Sequence, residues 1–174
     1  MNTNVKFKVT GEYTDTIRHL DGTVEVHEGR NLVVNGIYQL ITSLFSGKQG
    51  YTGLQYWAIG KGSDEWEESS LPQPVVTDTK LLNEIGRKAI QPSNFKFVTP
   101  EGTTSSVPTN RLAVTVVFGY DECIGTWREF GLFGGDATET ENSGTMINRK
   151  IHGVINKTRE MEIAREIIFT FTRA

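Results

Sequence analysis

Only one cysteine, Cys123, occurs in the 174 residues, which excludes an internal disulfide framework and a cysteine zinc site. A lone cysteine of this kind reads as a small buried residue. Histidine is equally scarce. His19, His27 and His152 lie far apart in the sequence, each in a strand or turn, and show none of the convergent partners that a metal or catalytic role needs. Basic residues do not dominate: 18 Lys and Arg stand against 21 Asp and Glu, for a net charge of -3. A nucleic-acid binder would carry a basic excess, so none is expected as a partner. No stretch approaches the roughly 20 apolar residues of a membrane helix, so no membrane partner is expected either. The opening residues MNTNVKFKVTGEY alternate and contain no continuous apolar region, from which we expect no signal peptide and synthesis in a cytoplasm.

Catalytic signatures are missing too. There is no Gly-x-Ser-x-Gly elbow, no His-Glu-x-x-His and no Cys-x-x-Cys. Gly60-Lys61-Gly62-Ser63 lacks the ending of a phosphate loop and reads as a turn that closes a strand. The expectation is a chain with no catalytic residue, no metal site and no cofactor.

What the sequence does contain is strand pattern. Val5, Phe7, Val9 and Gly11 alternate with polar residues, and Asp21-Gly22 before Thr23-Val24-Glu25-Val26 predicts a hairpin with a two-residue type I′ turn. Asn35 is placed to cap a helix whose stripe is Ile37, Leu40, Ile41, Leu44 and Phe45, with Gly47 as its stop. Tyr56–Gly60 and Asn94–Val98 read as strands, and Leu81–Ala89 stays open between a helical turn and an extended run. Ser63–Lys80 is a long polar, acidic, proline-containing loop, and Pro100–Asn110 a second connection. Arg111–Phe118 puts Leu112, Val114, Val116 and Phe118 on one face. Thr145, Ile147, Arg149, Ile151 and Ile155 share a face of the next run. Met161, Ile163, Ile167, Phe169 and Phe171 share a face of the last, with Arg165 among them.

About eight strands, one early helix and hairpin-scale spacing predict a mainly β fold. We expect one domain over residues 1–174, an antiparallel, jelly-roll-like β-sandwich with a short helix packed against a sheet. Its centre is Gly125–Gly134. Alternation there puts Trp127, Glu129, Gly131 and Phe133 on one face and Thr126, Arg128, Phe130 and Leu132 on the other. Aromatics on both sides predict a central strand, and Gly131 predicts close approach of another backbone or ring. With Arg111–Phe118 and Thr145–Ile155 as neighbours, it would be the middle of a C-terminal sheet. Arg128 and Glu129 are each expected to reach solvent or a cross-strand partner.

Trp66 lies within the acidic run Asp64, Glu65, Glu67 and Glu68. Its spacing does not fit a calcium loop, and a wet tryptophan is costly. Trp66, with Tyr51 and Tyr56 near loops, is therefore the candidate interface set. Aromatics near loops also suit a glycan-binding module that would use Tyr51, Tyr56, Trp57 or Trp66. A glycoside hydrolase would need a pair of carboxylates that the sequence does not pair.

Four blocks in order carry a resemblance. They are Asn31-Leu32-Val33-Val34-Asn35-Gly36, Trp57-Ala58-Ile59-Gly60-Lys61-Gly62, Leu82-Asn83-Glu84-Ile85-Gly86-Arg87 and Gly125–Phe133, followed by the closing strand Glu162–Thr172. Together they resemble small structural tail, baseplate or tail-fibre-module proteins of tailed bacteriophages. The resemblance implies a β-rich, non-enzymatic virion protein of the tail, baseplate or fibre-attachment region. It implies a homo-oligomer, a ring or trimer, that contacts other tail proteins. The chain departs from the pattern by insertions at 63–80 and 134–143, and we expect it to close with that strand, without a fibre shaft or receptor-binding tip after it. These departures favour an adaptor over a glycan- or receptor-binding tail module.

Overall fold

A computed structural model describes residues 6–173, so the placement of Val5 in the first strand, and the opening residues of the export reading, fall outside it. The chain forms β1 (Phe7–His19), β2 (Val24–Val33), α1 (Gly36–Phe45), β3 (Thr52–Gly60), β4 (Glu84–Ala89), β5 (Phe95–Val98), β6 (Thr104–Ser105), β7 (Arg111–Phe118), β8 (Gly125–Gly135), β9 (Thr145–Lys157) and β10 (Met161–Arg173). Leu81–Ala89, open on sequence, thus contains a strand.

All pairings are antiparallel, in the order β4-β3-β8-β9-β2-β1-β10-β7-β5-β6. The ladder folds over at β2. From Val24 to Asn31 this strand pairs with β1, while Leu32 and Val33 pair with Arg149 and Asn148 of β9. The result is two facing leaves, β2-β1-β10-β7-β5-β6 and β2-β9-β8-β3-β4. Between them lies a core of Tyr13, Ile17, Val114, Val116, Phe118, Ile163, Ile167 and Phe169 from one leaf. Trp57, Ile59, Trp127, Phe130, Leu132, Ile147 and Ile155 come from the other. Edge-to-face pairs stitch the leaves together: Phe118 to Trp127 at 5.1 Å and Tyr13 to Phe130 at 5.3 Å. The sandwich expected from strand spacing is therefore present.

The alternation in β1, β7 and β10 holds as read, with Ile163, Arg165, Ile167 and Phe169 all facing inward. In β8 and β9 it breaks. Trp127 pairs with Ile155 and Glu129 with Ile151, so β9 has extra residues opposite Arg128. A second shift lies at Leu132/Phe133. Such bulges rotate the strand locally. Trp127, Phe130 and Leu132 consequently share the inner face, Arg128, Glu129 and Phe133 turn outward, and Ile147 and Ile155 face inward while Arg149 and Ile151 do not. The face assignments made by strict period two for these strands are corrected accordingly. β8 is central, but its neighbours are β3 and β9; β7 belongs to the opposite leaf.

Two local signals resolve differently from expectation. The first hairpin closes through His19 N–H to Thr23 O and Gly22 N–H to His19 O, with positive φ at Gly22 and not at Asp21. That is a three-residue loop with glycine in the left-handed position, not a type I′ turn. Asn35 occupies the N-cap position of α1, but its backbone is helical and its side chain makes no cap bond. Its N–H instead donates to Val76 O at 2.8 Å. Gly47 ends the helix at φ 65°, donating to Leu44 O. Ile37 and Leu40 of the stripe are buried, whereas Leu44 and Phe45 are exposed.

Gly131 behaves as the sequence suggested. A Cβ there would sit 2.8 Å from the Asn148 carbonyl oxygen, 3.2 Å from Met146 Cε and 3.5 Å from Leu81 Cδ2. Backbone cannot yield as a flexible side chain would. Gly131→Val is expected to lower stability by roughly 2–3 kcal/mol, a fall of about 5–10 °C in melting temperature. Equal melting temperatures for variant and wild type would contradict the packing described.

Candidate functional site

The outer face of the β8 leaf is not open sheet. Val34, Ala58, Leu81, Phe133, Ala137 and Met146 form a second apolar cluster on it, roofed by residues 61–83 and 136–144. Polar side chains from the blocks singled out in the sequence hold this roof down.

Glu129 is fully buried. Its Oε1 accepts from the backbone N–H groups of Leu82 and Asn83 at 2.9 and 3.1 Å. Its Oε2 accepts from Arg149 Nε and Nη2 at 3.0 and 2.6 Å. Arg149 also reaches Asp78 Oδ2 at 3.1 Å. Arg128 donates to the carbonyls of Ser63 and Trp66 and to Glu68. The two adjacent charges thus do not pair with each other, and Arg128 does not reach solvent as expected; each captures part of the 61–83 segment. Glu84 and Arg87 make the third clip. They form a bidentate pair at 2.6 and 2.9 Å. Arg87 Nη1 donates on to Thr138 O and Ser143 Oγ, and Asn142 N–H donates to Glu84 Oε2. The signal for this was visible: a carboxylate between aromatics in a strand buried on both faces must be satisfied from within.

The three candidate interface residues are not brought together. Trp66 is half-buried over Gly62, 5.5 Å from the Arg128 guanidinium, and borders a cleft of about 420 Å³ shared with Asp78, Lys80, Leu82 and Arg149. Tyr51 is half-buried under Lys48, whose Nζ lies 3.6 Å from its ring centre. Tyr56 faces Arg87 at 5.4 Å and borders a separate cleft with Glu139 and Glu141. Trp57, a candidate for stacking on sugar, is fully buried against Phe130 and cannot do so. The Cys123 thiol is pushed up by burial, which disfavours the thiolate. No group of three or more His, Cys, Asp or Glu suited to a metal ion occurs among the described residues.

One titratable cluster lies inside the sandwich. Arg165 and Asp15 face each other across the β1–β10 ladder, both fully buried, with paired bonds of 2.6 Å each. The guanidinium carbon stands 4.3 Å from the Phe130 ring and 5.2 Å from Trp127. His152 Nε2 is 3.4 Å from Arg165, and Nδ1 lies 2.7 Å from Gly153 O. Removing one partner of such a pair costs about 3–5 kcal/mol, so the cluster constrains the register of β1 against β10. Burial, reinforced by the Arg165 charge, depresses His152 to about 3 from its ordinary 6.5. The unfolded chain takes up this proton near pH 6.5 and the folded chain does not. Stability therefore falls as pH drops from about 6.5 toward 3, by up to about 1.4 kcal/mol per pH unit. His152→Gln is expected to flatten that slope in denaturant titrations between pH 6 and 4. An unchanged slope would show that His152 is not the group responsible.

No curated protein matches the chain. Residues 51–117, from the start of β3 into β7 and less than half of the chain, match the model of a family described as "Baseplate wedge 3 tail fiber network component". The matched stretch contains the Trp57–Gly62 and Leu82–Arg87 blocks, and it bears out the resemblance of this chain to phage baseplate and tail-fibre proteins.

Proposed function

We propose that this chain is a non-enzymatic structural subunit of a phage tail. It sits in the baseplate or fibre-attachment region and works as an adaptor between copies of itself and neighbouring tail proteins. The observation that carries this reading is the family match over residues 51–117. A component of such a network is expected in the virion tail, in contact with other tail proteins. The clips formed by Arg128, Glu129 and the Glu84–Arg87 pair support the reading physically. They hold long polar segments in one conformation, so that binding them costs little ordering entropy. Trp66, Tyr51 and Tyr56 are the proposed contact residues, Trp66 through the ring edge that borders its cleft. The edge is flanked by exposed Asp64, Glu65 and Glu67, which give that surface a strong negative charge.

The same cleft favours one second reading. A half-exposed indole beside Asp78, Thr79, Lys80 and Arg149 has the mixture of apolar wall and hydrogen-bonding groups that suits a sugar. Glycan-array binding that depends on Trp66 would promote that reading over an adaptor.

Mixing the purified chain with the other tail proteins of the same particle separates the readings. The adaptor reading expects co-assembly in sedimentation, lost or weakened at least about tenfold in Trp66→Ala, with melting temperature within a few degrees of wild type. A chain that stays monomeric and binds no tail component would overturn it.

A further inference from the structure

β2 serves both leaves, and its first half is a bare edge. Among the described residues, Val24 to Glu28 pair with β1 alone, and β9 joins β2 only at Leu32 and Val33. The hairpin bond from His19 N–H to Thr23 O sets the phase of the ladder. Odd-numbered residues of β2 therefore exchange bonds with β1, and the N–H and C=O groups of Val24, Val26 and Glu28 point away from it. An open row of this kind is a template for another strand. The other margins of the sheet are blunted. β6 has two residues, β4 carries Arg87 and Lys88, and on β9 the Val154 N–H is taken by Glu68 Oε2 at 3.3 Å. Val24–Glu28 has no Lys, no Pro and no shift in register, and both of its valines are 57% exposed.

Side chains narrow the partner. Val117, Ala164, Thr16 and Val26 lie side by side on the outer face of β7, β10, β1 and β2, a row without charge that ends at the bare edge. The rows beside it carry Glu166, Thr14 and Glu28 on one side and Glu162, Arg18 and Val24 on the other. β2 itself is a strand that continues this pattern. With a two-fold axis at Val26, Val26 faces the partner's Val26, Val24 faces the partner's Glu28, and Glu25 faces the partner's His27. The outward N–H and C=O groups of the two copies then bond to each other, and the uncharged row runs unbroken across both. An axis at Glu28 would oppose two carboxylates. An axis at His27 would set Val26 against Glu28 and break the row.

We propose that two copies of this chain join edge to edge through β2, antiparallel and centred on Val26, so that their β2-β1-β10-β7 leaves form one continuous sheet. The proposal rests on the tail-assembly reading and assigns the surface through which copies meet. Main-chain bonds supply the attraction, as in other strand additions, and the Val26 row fixes the register.

Sedimentation of the full chain across a range of concentrations is expected to show a monomer–dimer equilibrium. Val26→Lys puts a charge at the axis, and Val26→Pro removes the N–H that faces the partner while sparing the bonds to β1. Each is expected to weaken dimerisation at least about tenfold, and Val26→Lys, at an exposed site, should melt within a few degrees of wild type. Cysteine reads the register. Residues that exchange both bonds across an antiparallel pair lie about 5.5 Å apart at Cα, within disulfide range. Val26→Cys/Cys123→Ser is expected to give a disulfide-linked dimer on mild oxidation, and Val117→Cys/Cys123→Ser, at the far end of the row, is not. A wild type that stays monomeric up to about 100 µM overturns the proposal, and co-assembly with tail proteins then judges the adaptor reading separately. A dimer that both Val26 variants leave intact overturns it too, as does equal cross-linking of the two cysteine variants. If the wild type is monomeric and Val26→Lys loses co-assembly, the edge takes a strand of another protein and the proposal falls.

Discussion

Glu129 is a carboxylate with no access to water on the outer face of a strand whose inner face is already covered by the core. Burying a charge there is tolerable only because four donors converge on it, two from the backbone at Leu82 and Asn83 and two from Arg149. The two backbone donors belong to the roof, and Arg149 of β9 ties to it through Asp78, so the charge and the roof depend on each other. Without the carboxylate, the part-buried N–H groups of Leu82 and Asn83 would lose their acceptor, at up to about 1 kcal/mol each. Without the roof, Ala58, Phe133 and Met146 would lose the cover that Leu81 and Ala137 give them. Arg128 extends the same logic to Ser63, Trp66 and Glu68, and Glu84 with Arg87 extends it to residues 138–143.

The second constraint is the fold-over at β2. One strand serves both leaves, pairing with β1 along most of its length and with β9 only at Leu32 and Val33. Below that point the leaves separate, and the space between them takes the Asp15–Arg165 pair and His152. The cluster is fixed in register by the β1–β10 ladder and shielded by Phe130 and Trp127. At the opposite end the sandwich stays open between α1 and Phe171. The molecule therefore has one outer face sealed by its own loops and one end left apolar, a combination suited to assembly through a few fixed surfaces.

Much of this was legible in the sequence where the cause is local. The alternation of β1, β7 and β10 follows from side chains pointing to opposite faces of a pleated strand. Gly131 announced a close backbone approach, and the Asn148 carbonyl supplies it. The ordered blocks pointed to tail proteins, and the match over residues 51–117 supports that. Illegible were features set by a distant partner. The bulges that turn Trp127 inward exist because β9 has more residues than β8 over the same span, which no window on β8 alone contains. Trp57 resembled a loop aromatic but lies under Phe130. The hairpin at Asp21-Gly22 carried a type I′ signal, yet one extra residue in the loop leaves Asp21 outside the left-handed region. Arg128 and Glu129 were expected to reach solvent or a cross-strand partner; Glu129 does meet Arg149 of adjacent β9, but the roof segments that both hold lie 46 or more residues away in sequence and could not be read locally.

The central claim is that Glu129 holds the roof. Hydrogen exchange of Glu129→Gln against wild type tests it most directly, because a glutamine presents one acceptor and one donor end. It cannot serve both the Leu82 and Asn83 amides and the Arg149 guanidinium. The account predicts exchange at Leu82, Asn83 and neighbouring roof amides faster by at least about tenfold, equivalent to about 1.4 kcal/mol. Amides of the β1–β10 ladder should keep their protection. Unchanged protection across residues 61–83 would contradict it.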